Sequence, residues 1–82
     1  MQALIQSTID SILTEGLTDT QRNKILEDAY AWATTLNDAD LDEFICDLHC
    51  RSEMYYSETC PAYAGAIALW GRLESLQNSR KS

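Results

Sequence analysis

Four side chains with metal or redox chemistry lie within the 15 residues from Cys46 to Cys60: Cys46, His49, Cys50 and Cys60. They are all of the cysteines in the chain and its only histidine. If residues 41–56 form a helix, the i, i+3 and i, i+4 spacings bring Cys46 beside His49 and Cys50. With Cys60 entering from a following turn, three or four zinc ligands can be assembled. The pattern is not that of a usual structural zinc site, which draws on two separated ligand pairs. His49 and Cys50 are adjacent and point about 100° apart on a helix, so one ion can hardly take both.

Other chemistries use the same residues. Cys50 and Cys60 have the C-x9-C spacing of small oxidised helical hairpins, but those carry two such pairs, and a reducing compartment opposes the bridge. A nucleophilic thiolate needs a base that reaches it from elsewhere in the fold, and His49 sits on the same helix as Cys46. The acidic neighbours raise a thiol pKa rather than lower it. The favoured reading is packing: cysteine behaves as a small hydrophobe. Cys46 and Cys50 fall opposite the main apolar stripe of their helix, in a ladder with Glu43, Asp47 and Met54, so packing them requires a neighbour on a second face.

Carboxylates are the second chemistry. The chain has 82 residues and a net charge of −7, with 13 Asp and Glu against six Lys and Arg. Between Asp38 and Glu58, seven carboxylates face Arg51 alone. Phosphate contacts need Lys and Arg, so direct nucleic-acid binding is not expected. Asp40, Glu43 and Asp47, at i, i+3 and i+7, form a row that either keeps a helix face solvated or docks on a basic partner.

These residues must be positioned by helices. The apolar content is 45%, that of a globular chain. The apolar spacing is helical throughout, and the one proline, Pro61, suits the first turn of a helix. The first helix is expected over about 2–15, with Ile5, Ile9, Ile12 and Leu13 inward and Gly16 ending it. A second begins at Thr18 with the capping box TDTQ and buries Ile25, Leu26, Ala29, Trp32, Ala33 and Leu36. A third, capped by Asn37 or Asp38, runs to about Tyr56 with Leu41, Phe44, Ile45, Leu48 and Tyr55 as its stripe. The fourth starts near Pro61 and turns Leu69, Leu73 and Leu76 inward. A row of small residues, Ala64, Ala68, Gly71 and Ser75, follows its other side. Such a row suits close approach of a neighbouring helix within the fold, or else forms a binding groove.

The expected fold is all-α: one domain over 1–82, a small antiparallel bundle of about four helices with a polar tail from about residue 78. No apolar run reaches the roughly 18 residues of a membrane span, and the N-terminus lacks the pattern of a signal peptide. Free thiols without an export signal point to the cytoplasm.

No phosphate-cradling glycine loop, nucleophile elbow or metalloprotease motif is present. The sequence therefore reads as a non-enzymatic binding module without a cofactor. It is expected to dock on a larger protein, through Asp40, Glu43 and Asp47, the Met54, Tyr55 and Tyr56 corner, or the Ala64, Ala68 and Gly71 row. In the sharper form it is a regulator or inhibitor whose carboxylates imitate nucleic-acid phosphates in a basic groove. Small acidic proteins of phages and mobile elements act in that way, an analogy of function and not of sequence. Pairing with a second copy is compatible with the same features. The alternative is a small structural module that holds a metal through Cys46, His49, Cys50 and Cys60.

Overall fold

The spacing of apolar residues at three and four positions needs neighbours, and the chain supplies them by folding back on itself. A computed structural model describes residues 2–55 and 61–81. Four helices follow one another: α1 (Gln2–Ile12), α2 (Asp19–Ala33), α3 (Asp38–Tyr55) and α4 (Pro61–Lys81). Among the described residues there is no strand.

Contacts between side chains give the directions. Gln6 reaches Asp47 while Asp10 pairs with Arg51, so α1 and α3 run parallel. Glu27 meets Arg72 and Thr34 meets Arg80, so α2 and α4 run parallel. Asp42 meets Gln77 and Asp38 meets Arg80, so α3 and α4 run antiparallel. The result is the expected up-and-down bundle. α4 touches all three other helices, α3 most extensively.

Local chemistry sets the helix ends. Thr18 accepts from the Gln21 backbone N–H at 3.1 Å, and the Gln21 side chain accepts from the Thr18 N–H at 3.0 Å, closing the capping box. Asn37 Oδ1 accepts from the Asp40 N–H at 2.8 Å and caps α3. α1 ends at Ile12, three residues earlier than expected, and Gly16 follows in the left-handed region with φ 82°. The far end of α4 differs more. Residues 78–81 were expected as a polar tail but continue the helix, and Arg80 is anchored on the turn that follows α2: its guanidinium donates to the Leu36 carbonyl at 2.6 Å and the Thr34 carbonyl at 2.8 Å.

The core holds most of the expected stripes, with Ile25, Leu26, Trp32 and Leu76 only partly buried against it. Ile5, Ile9, Ile12 and Leu13 from α1 and its end meet Ala29, Ala33 and Leu36, then Leu41, Phe44, Ile45 and Leu48, and Leu69 and Leu73. Trp32 meets the Phe44 ring edge-on, with centroids 5.5 Å apart.

Helix α4 corrects one expectation. The row Ala64, Ala68, Gly71 and Ser75 is exposed, and a Cβ added at Gly71 would meet nothing within 4 Å. Among the described residues no helix packs there. The buried row is Ala62, Ala66, Leu69 and Leu73. Close approach occurs instead at Gly65, where a Cβ would lie 3.2 Å from Leu26 Cδ1 and 3.3 Å from Arg22 Cδ. Arg22, not expected inside, lays its stem there and is only 9% exposed.

Candidate functional site on the third helix

The charge-bearing helix α3 has four sides, which follow from its period of 3.6 residues. Leu41, Phe44, Ile45, Leu48 and Ser52 are buried inward. The Ser52 hydroxyl donates to the Leu48 carbonyl at 2.7 Å, which lets a polar side chain sit wholly inside.

On the side toward α1, Asp47 accepts from Gln6 Nε2 at 3.0 Å and from Gln2 Nε2 at 3.4 Å. Arg51 donates to Gln6 Oε1 at 3.1 Å and pairs with Asp10. On the side toward α4, Asp42 accepts from Gln77 at 3.0 Å. His49 stacks on Trp70 with centroids 4.9 Å apart, and its Nε2 lies 3.3 Å from Glu53 Oε1. The outer side presents Glu43, Cys46, Cys50 and Met54 to solvent.

The pairing of basic residues decides where the negative charge is left over. Arg22, Lys24, Arg51, Arg72 and Arg80 lie against Asp19, Asp28, Asp10, Glu27 and Asp38 respectively. Only Asp38 among these partners belongs to α3. Asp40, Asp42, Glu43 and Asp47 have no Lys or Arg partner among the described residues. The acidic residues expected from the sequence thus share one helix, but not one environment. Glu43 is exposed, Asp40 is half-buried, and Asp47 is partly engaged with α1. Asp42, outside the expected row, is exposed and belongs with them.

The thiol expectations change. Cys46 and Cys50 are exposed, and no helix among the described residues covers them, so they are not core packing groups. Partial burial pushes the Cys46 thiol above its ordinary pKa, and Asp42, Cys50 and Asp47 add to the shift. That opposes a reactive thiolate. His49 turns onto Trp70 and its Nε2 toward Glu53, away from the outer side that carries Cys46 and Cys50. Among the described residues no group of three His, Cys, Asp or Glu is placed to hold a metal ion. Cys60 lies outside the described residues, as do Tyr56 and the side chain of Tyr55. Of the aromatic corner, Met54 is described, and it is 71% exposed. Ala64, Ala68 and Gly71 form a separate strip on the outside of α4.

A groove of about 260 Å³ lies between α1 and α2, lined by Thr8, Ser11, Ile25, Asp28, Ala29 and Trp32. Its one carboxylate, Asp28, lies 3.6 Å from Lys24, so no acid–base pair converges there. Among the described residues, no helix is long and apolar enough to cross a membrane. No family model, curated protein or solved structure matches the chain.

Proposed function

We propose that the chain is a non-enzymatic acidic binding module that docks through α3 on a basic groove of a larger protein. There it acts as a regulator or inhibitor by standing in for nucleic-acid phosphates. The observation that carries this reading is the unequal pairing of charge: Asp40, Asp42, Glu43 and Asp47 lack a basic partner, while five of the six Lys and Arg side chains are spent elsewhere. Four carboxylates over residues 40–47 place their charges along about 10 Å of the helix axis, spread over the outer side of α3 and its flanks toward α1 and α4. One nucleic-acid strand carries one charge per about 3.4 Å, a comparable density. A rigid helix presents these charges without the cost of ordering a loop.

The test starts with the immobilised protein and a nuclease-treated lysate of the cells that carry the gene. The reading expects a retained protein that short duplex DNA releases. It also expects the Asp40→Asn, Asp42→Asn, Glu43→Gln variant not to retain it. Equal retention by the variant, or retention indifferent to duplex, rejects the reading.

A further inference from the structure

We infer that the cleft between the α1–α2 turn and the start of α4 binds a small molecule with a carboxylate and an ammonium group, the pattern of a free amino acid, and that Arg22 holds its carboxylate. The cleft has a volume of about 400 Å³, within the range of small-molecule sites. Arg22 lines it and is only 9% exposed. Its Nε is buried with no hydrogen-bond partner, and its Nη1 lies 3.8 Å from Asp19 Oδ1, beyond hydrogen-bond reach. The Asp19 side chain is itself fully exposed. Among the described residues, Arg22 is the one buried side chain with such an orphan atom. A charge so far out of water calls for an anion that meets it with hydrogen bonds.

Helix packing puts the guanidinium there. α2 and α4 run parallel, and Arg22 Cδ and Cγ pass Gly65, where an added Cβ would lie 3.3 and 3.7 Å from them. Helical side chains lean toward the N-terminus, so the guanidinium reaches the level of Pro61 and Ala62, which line the same cleft. α4 is 21 residues long, its dipole is positive at that end, and no acidic residue stands in its first turn. Two positive features thus face one cleft. A carboxylate seated between them offers acceptors in the fork geometry of a guanidinium.

The rest of the lining selects among anions. Glu15 and Asp19 also border the cleft. They repel a phosphate dianion and attract an ammonium group beside the bound carboxylate. Leu17 and the ring of Pro61 supply apolar surface for a side chain. The site lies about 24 Å along α4 from Gln77, the contact of Asp42, so it is independent of docking by the α3 carboxylates.

The experiment titrates the isotope-labelled chain with L-leucine at neutral pH and fixed ionic strength, and follows by NMR the Arg22 Nε–H and the amides of Gly16 and Ala62. L-leucine should saturate one site per chain. Isocaproate, which lacks the ammonium group, should bind about 5-fold more weakly, and L-leucinamide, which lacks the carboxylate, at least about 10-fold more weakly. Arg22→Gln should weaken L-leucine by at least about 10-fold, and Arg22→Lys, which keeps the stem and the charge but not the fork, by about 5-fold. Glu15→Gln should narrow the preference for L-leucine over isocaproate. Lys24→Gln and Glu58→Gln should change the affinity by less than about twofold. Circular dichroism identifies any variant that fails to fold, and the three ligands on the native chain give a test that needs no variant. Four results each overturn the site: no saturable shift with L-leucine, equal binding of L-leucinamide, tighter binding of inorganic phosphate than of L-leucine, or a gain of about 10-fold on Glu58→Gln, which would mean that a carboxylate of the chain itself holds Arg22.

Discussion

Two glycines of α4 show how differently one residue type is used. Gly71 lies in the interior of a long helix, where an added Cβ would meet nothing within 4 Å, so it only adds freedom to the unfolded chain. Gly71→Ala should stabilise the bundle by about 0.5–1 kcal/mol. Gly65 lets α2 come close, and a methyl there would press on Leu26 and Arg22. Gly65→Ala should therefore give a smaller gain or a loss. Urea midpoints of the two variants check the order, and equal gains would mean that α2 is not held against Gly65. Glu27 and Arg72 give a second test at this scale. Arg72 Nη1 donates to Glu27 at 2.7 Å while its guanidinium sits 4.2 Å over the Tyr30 ring. The hydrogen bond from Arg72, then its charge, holds the Glu27 carboxyl below the usual carboxylate range. A depressed folded pKa contributes stability above the unfolded pKa, and that contribution is lost as pH falls through the folded pKa. By NMR the Glu27 carboxyl should titrate below an ordinary glutamate, and Arg72→Ala should move it upward.

Among the elements, α4 is where the sequence pattern and the fold part company. Ala62, Ala66, Leu69 and Leu73 share the spacing i, i+4, i+7, i+11 with Ala64, Ala68, Gly71 and Ser75. The two rows are offset by two residues, about 200°, and so lie on nearly opposite faces. The large leucines fix which row is buried, but a row of small residues fits solvent as well as a close neighbour. The stripes of α1 and α3 were legible because isoleucine, leucine and phenylalanine mark one face unambiguously. The length of α4 was not, because Arg80 is held by carbonyls 44 and 46 residues earlier in the chain. Arg80 takes the carbonyls of the α2 C-cap, Thr34, and of Leu36 in the turn beyond it, which have no helical partner. Arg80→Ala should cost about 1–2 kcal/mol and speed amide exchange near the end of α4, whereas Lys81→Ala should do neither. Exchange that rises equally in both variants would mean that the anchor does not hold the helix.

At the scale of the whole molecule, fold and charge have separate origins. Buried apolar stripes hold the four helices together, while pairing between helices decides which charges remain. The acidic stretch was legible in composition, but its working members were not. Arg51 goes to α1, and Gln77 and Arg80 reach α3 from the other end of the chain. Asp47 is partly buried against Gln2 and Gln6, while Asp42, although it accepts from Gln77, remains exposed and joins the working carboxylates. The thiols were misplaced for a related reason: a cysteine serves as readily on a surface as in a core, and only the absence of a fifth helix among the described residues leaves these two outside. Charge complementarity acts mainly on the rate of association, and exposed charges are screened over about 8–10 Å at physiological salt. The most direct measurement is therefore the association rate constant with the retained partner across a salt series. It compares the native chain with the Asp40→Asn, Asp42→Asn, Glu43→Gln variant. The account predicts slower association and a flatter salt dependence for the variant, with its fold unchanged. Superimposable rates and slopes would contradict it, leaving the carboxylates of α3 as a solvated surface only.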